Sequence, residues 1–244
     1  MENTEEKVND DNDFSEEQQE GKPREIVLPG DLLDEGTLKS GMGTYREGKK
    51  IFSAHVGIKS VRSNYINVIS LSGRYIPKSG DTVIGVVIDL TPTSWILDIN
   101  SPYSSPLHSS EVPWKIDFGE TSRYLDIGDV VLTRVLSVDE IKRIQVTMRG
   151  PGLRKLNGGQ LIKISASKVP RVIGKNGSMI SLIKKYTNCH MFVGQNGRIW
   201  IEGTFDDIKL ATKAIDIIEQ AAHVSGLTSL TEEFLKNQKG MNNL

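Results

Sequence analysis

The sequence predicts an α+β multidomain chain: a small N-terminal β domain, a five-stranded β-barrel, and a C-terminal domain of β-α-α-β-β-α order. Three observations predict it. Gly80-Asp81 and Gly128-Asp129 each open a long β-branched run that is followed by a return strand. Beyond residue 160 the apolar period lengthens from two to three or four, which marks helices. Charge is also segregated along the chain: residues 1–21 carry a net −8 and residues 151–203 a net +8, inside an overall −1.

Taken in order, residues 1–22 lack periodicity and are strongly acidic, so they are expected to form a disordered tail. Residues 23–75 are β-like, with partial alternation in "IFSAHVGIKSV" and "YINVISLSGRYI". Residues 76–150 hold two hairpins. "GDTVIGVVIDL" returns through "SWILDI", and "GDVVLTRVLSV" returns through "RIQVTM". Between them, residues 101–124 form a long irregular loop with three prolines, a length that is often functional. It carries Tyr103, His108, Trp114, Lys115 and Arg123, a mixture suited to base stacking and phosphate contact. "RGPGLRKLNGG" (149–159) reads as a linker or tight junction. Residues 151–244 then form the last domain with a C-terminal helical extension. "QLIKIS" is a strand, "VPRVIG" a helical turn, "SMISLIKKYT" a helix, and "HMFVGQNGRIWIEG" a hairpin. In "TFDDIKLATKAIDIIEQAA", Ile208, Ala211, Ile215, Ile218 and Ala222 share a helical face, and Thr204 with Asp207 forms the N-terminal signal.

Composition excludes several function classes. No apolar run approaches the ~18–20 residues of a membrane span, and no signal peptide is expected at the N-terminus. Cys189 is the only cysteine, so no intrachain disulfide can form, which fits a reducing cytoplasm. With His55, His108, His190 and His223 dispersed, no zinc or other metal site, cofactor site or catalytic residue is expected.

The +8 segment contains "VIGKNGSMI" (172–180), and a second stretch, "GQNG" (194–197), has the same glycine spacing. The second lies between two strands, where Asn196-Gly197 is a hairpin turn signal. The first lies between two helices. It is not a nucleotide-hydrolysing loop, because Lys175 is followed by Asn176 rather than Ser or Thr. Glycines at 174 and 177 let backbone N–H groups approach a phosphate. Arg171 and Lys175 would add charge, and Ile173, Ile180 and Ile183 could floor a groove for bases.

These residues carry a resemblance. Val-Ile-Gly-Lys-Asn-Gly-Ser-Met-Ile within β-α-α-β-β-α order resembles the KH domain over roughly residues 155–222, a reader of single-stranded RNA or DNA that grips about four nucleotides. "LDIGDVVLTRVLSVDEIKRIQVTMRG" is similar to the C-terminal half of the S-one-type RNA-binding OB barrel. The order N-terminal sheet, S-one-type barrel, KH domain resembles the cap subunits of the RNA exosome, in the archaeal form. That resemblance implies a noncatalytic subunit in three copies on a hexameric phosphorolytic exoribonuclease ring. It would gather single-stranded RNA and feed 3′ ends to the channel, with the N-terminal sheet anchoring it and the barrel facing the RNA path. The RNA-binding candidates are then Arg171, Gly174, Lys175, Asn176 and Gly177 of the loop, with Trp95, Tyr103, Lys115 and Arg123 of the barrel. Lys163, Lys168, Lys184, Lys185 and Arg198 would supply nonspecific phosphate attraction. Two alternatives stay open. Asn176 is either a phosphate contact or a hydrogen-bonding residue where the loop packs on the barrel, and Trp95 is either a stacking platform or barrel core. The rival functions are a free-standing single-stranded RNA-binding regulator of translation and a ribonuclease.

Overall fold

The computed structural model describes residues 25–71, 73–222 and 226–241. The acidic segment 1–22 and His223 lie outside the described residues. The chain divides into two compact units, Met1–Ser70 and Leu71–Leu244.

In the first unit the strands are β1 (Ile26–Val27), β2 (Leu32–Asp34), β3 (Lys39–Ser40), β4 (Thr44–Glu47), β5 (Lys50–Ser53), β6 (Gly57–Arg62) and β7 (Tyr65–Ser70). They form two sheets, ordered β1-β6-β7-β3 and β2-β5-β4. Alternation along β7 buries Ile66 and Val68, which join Val27, Leu33 and Ile51 in a small core. The opposite face of the four-stranded sheet keeps Ile26, Ile58 and Ile69 in one cross-strand row, with Ile26 65% and Ile69 56% exposed.

The second unit begins with a barrel. Its strands are β8 (Thr82–Thr91), β9 (Ser94–Asp98), β10 (Ser105–His108), β11 (Val130–Val138) and β12 (Ile144–Thr147). The order β12-β10-β9-β8-β11 closes through the β11–β12 pairing, so these five strands leave no open edge among themselves. Inward residues at alternate positions, among them Val83, Val87, Leu97, Leu107, Val131 and Val146, fill it. Trp95 sits at the centre, 0% exposed, and its indole N–H donates to the carbonyls of Thr121 (3.2 Å) and Leu125 (3.1 Å). The long loop is thereby tied beneath the barrel, and Thr121 Oγ1 adds a bond to Thr91 O. This corrects the stacking reading of Trp95: a ring with no exposed face cannot meet a base.

The Gly-rich stretch 149–159 holds a strand, β13 (Arg154–Leu156), paired antiparallel with β11. The barrel sheet therefore runs directly into the next domain. That domain contains β14 (Gln160–Lys163), α1 (Val169–Ile173), α2 (Ser178–Thr187), β15 (His190–Val193), β16 (Arg198–Glu202), α3 (Phe205–Gln220) and α4 (Leu227–Met241). Its sheet is antiparallel in the order β14-β16-β15. Helix α3 is capped by Thr204, whose hydroxyl accepts from Asp207 N. Its Ala211, Ala214, Ile215 and Ile218 pack with Ile183 of α2 and Ile199 and Ile201 of β16. In α4, Leu227 and Leu235 enter the same core. A second cluster joins the two halves of the unit: Ile84 and Leu132 from the barrel pack with Leu153, Leu156 and Trp200.

Candidate nucleic-acid interface

The two matching glycine loops have opposite environments. Gly194–Gly197 is the hairpin turn between β15 and β16, closed by Gly194 N to Arg198 O (2.8 Å) and Gly197 N to Gly194 O (3.1 Å). At its tip Gln195 is exposed, while Asn196 turns into the barrel. Asn196 is fully buried. Its Nδ2 donates to Ile84 O and Ile99 O, both at 2.8 Å, and its Oδ1 accepts from Ile84 N at 3.3 Å. Gln195 N donates to Thr82 O, and Gln195 Oε1 accepts from Thr82 N, so the turn extends the start of β8. Asn100 Nδ2 donates to Asn196 O. A Cβ at Gly194 would lie 3.0 Å from Ile84 N, so the close approach requires glycine there.

Beside this turn, Arg198 is 1% exposed. Its guanidinium donates to Ile84 O (3.2 Å) and Asp98 O and pairs with the Asp98 carboxylate. Burial pushes the Asp98 carboxyl up, but the Asn100 N–H and the Arg198 charge outweigh it and hold the group below the usual carboxylate range. Arg198 is thus committed to the barrel and is not one of the free phosphate-attracting cations.

Gly174–Gly177 is the outward loop. Gly174 (φ 74°), Asn176 (φ 51°) and Gly177 (φ 75°) turn the chain from α1 into α2. A Cβ at Gly174 would lie 2.7 Å from Met179 N, so this glycine lets the loop fold over the start of α2. At Gly177 the nearest atom to such a Cβ is Ile180 Cγ2 at 3.9 Å, an open side. Arg171, Lys175 and Asn176 are exposed, with Ile173 and Ile180 half-buried next to them. The loop does not pack on the barrel. The domain-contact asparagine is Asn196, and this corrects that alternative for Asn176. Residues 157–201 carry seven bases and no acid, and Arg198 is the one among them paired with Asp98. The structure therefore brings Arg171, Gly174, Lys175, Asn176 and Gly177 together as one cationic loop.

The barrel candidates are scattered by comparison. Tyr103 is half-buried against the barrel core. Lys115 is exposed, and its carbonyl accepts from Tyr124 Oη, while the Tyr124 ring stacks on Trp114 at 5.8 Å and 9°. Arg123 is exposed but pairs with Glu120 at 2.6 Å. Residues 73–156 carry ten bases and ten acids, so the barrel has no net pull on a polyanion.

Comparison with known proteins agrees with this layout. The family model for the exosome RNA binding protein RRP4 N-terminal domain matches residues 24–72, and the KH domain model matches residues 159–217. An exosome complex component Rrp4 from Methanosarcina mazei is 50% identical over 216 residues, 88% of this chain and 83% of that protein. The counterpart from Thermoplasma volcanium is 44% identical over 222 residues, 90% of this chain and 93% of that one. The chain belongs to the Rrp4 family. A crystal structure described as that of an exosome complex RNA-binding protein superposes with a TM-score of 0.63 at 33% identity, covering 70% of this chain and 99% of that chain.

For a member of the Rrp4 family, residues 159–217 contain both glycine loops, one turned outward and one turned into the barrel. Sequence reasoning missed three things here: the role of Asn196, the pairing of Arg198 with Asp98, and the Trp114–Tyr124 stack. The first two had no local signal, because their partners lie about 100 residues away and are mostly main-chain atoms. The stack had one, since both aromatic residues fall in the long loop.

Proposed function

We propose that this chain is a noncatalytic RNA-binding subunit of an exosome complex, which captures single-stranded RNA and hands its 3′ end to a phosphorolytic ring. The observation that carries the reading is the outward Gly174–Gly177 loop. It combines positive-φ backbone, two exposed cations and half-buried isoleucines, in a stretch of chain without acids. A phosphate could lie against the backbone N–H groups with bases over Ile173 and Ile180. Family membership supports the assembly with other exosome subunits. The Ile26–Ile58–Ile69 row is apolar surface of the kind that docks on a partner, and it is assigned here to the ring. Three copies on a hexameric ring, in the cytoplasm, complete the proposal.

The test is RNA binding by the ring with and without this chain. Addition of the chain is expected to tighten binding of a labelled single-stranded RNA about tenfold, ~1.4 kcal/mol. The isolated chain, given phosphate and a divalent metal, is expected to leave the RNA intact. Unchanged ring affinity would contradict the capture role, and cleavage by the isolated chain would contradict the noncatalytic one.

A further inference from the structure

The loop at Gly174–Gly177 leads directly into α2, and the exposed side of that helix is chemically uniform. Successive residues turn by ~100° on a helix. Ser178, Ser181, Lys184, Lys185 and Asn188, the last just past the helix end, therefore fall within one arc of about 120°, and all five are exposed. The opposite arc holds the buried Met179, Ile183 and Thr187. The exposed arc thus consists of two cations and three hydrogen-bonding polar groups. Glu232 of α4 reaches this helix, bonding Tyr186 Oη at 3.3 Å; it is paired with Lys236 at 2.8 Å and also feels the charge of Lys185, so Lys184 is the cation of the arc farther from an acid's influence. The lysines of α3 differ: Lys209 and Lys213 lie among Asp206, Asp207, Asp216 and Glu219.

We infer that the exposed arc of α2 is a phosphate track that continues from the glycine loop, so that electrostatic capture of RNA occurs on the KH half of the unit. This rests on the proposed RNA-binding function and adds to it. From Gly177 to Lys185 the helix rises about 12 Å, long enough for the strand to run on past the loop. The lysines supply charge to successive phosphates, and Ser178, Ser181 and Asn188 supply neutral donors between them. The barrel, with balanced charge, then holds the strand without a strong salt dependence.

The experiment measures affinity for a labelled oligouridylate against salt concentration, using the full chain. Two double variants are compared: Lys184→Gln with Lys185→Gln, and Lys209→Gln with Lys213→Gln. Each removes two exposed cations from the same domain. Each phosphate contact contributes about 0.7 to the slope of log affinity on log salt for single strands. The α2 variant is expected to lower that slope by about 1.4, and the α3 variant to leave it unchanged, with both melting like the parent. Equal losses in the two variants would mean a diffuse charge effect and would overturn the track, as would an α2 variant with the parental slope. Failure of the unmodified chain to bind would remove the RNA-binding function itself, a separate result.

Discussion

Asn196→Ala is expected to lower the stability of the Leu71–Leu244 unit by about 3 kcal/mol, close to 1 kcal/mol for each lost bond. For a unit of this size that is a fall in melting temperature on the order of 10 °C. The side chain is fully buried and satisfies Ile84 O, Ile84 N and Ile99 O at once. Alanine strips Ile99 O and Ile84 N of the side chain that satisfies them and leaves Ile84 O with the Arg198 guanidinium alone, and buried groups without a partner retain their full desolvation cost. RNA affinity per folded molecule is expected to stay at the parental value, because the turn is covered by the barrel. Thermal melting and a binding titration on the same preparation check both halves. A variant that melts like the parent would show that this asparagine does not hold the barrel and KH halves together.

Gly177→Asp is expected to give the reverse pattern. A side chain fits at Gly177, whose open side meets only Ile180 Cγ2 at 3.9 Å, but φ is +75°. Asparagine tolerates that conformation better than most residues, so Gly177→Asn is the matched control for shape and strain. The aspartate differs from it by a negative charge beside the proposed phosphate position. Gly177→Asp is expected to bind RNA about tenfold more weakly than Gly177→Asn, ~1.4 kcal/mol, with the two melting within a few degrees of each other. Equal affinities would remove the loop from the RNA contact. Gly174 cannot serve in this comparison, since its Cβ would collide with Met179 N and destabilise the turn regardless of charge.

These two predictions depend on a distinction that the sequence shows only in part. Gly-Lys-Asn-Gly and Gly-Gln-Asn-Gly share a spacing, and their neighbours place one between helices and the other between strands. Local pattern is enough for that, because helix and strand periods are written into nearby residues. It is enough also for β8, β9, β11 and β12 of the barrel, but not for β10, which lies within the stretch 101–124 expected to be irregular and becomes a strand by pairing with β9 and β12. The destination of a turn's side chain is another matter. Asn196 bonds backbone atoms of Ile84 and Ile99, and a backbone carbonyl carries no residue identity, so no sequence feature at 84 or 99 announces it. Trp95 was ambiguous for a related reason. Alternation puts it on a β-strand, but which face of that strand is the inside is settled only when the barrel closes and the 109–125 loop covers it. The Gly-rich stretch hid β13 because its three residues, Arg154, Lys155 and Leu156, have no strand-like composition. Pairing with β11 makes them a strand.

On the proposed function the two loops divide the work, one facing RNA and one joining the halves of the unit. Hydrogen–deuterium exchange on the full chain, with and without a saturating single-stranded RNA, tests it most directly. Slower exchange is expected across residues 171–188 on binding, and no change at 194–197, which the barrel protects already. RNA-dependent slowing at 194–197, with none across 171–188, would contradict it.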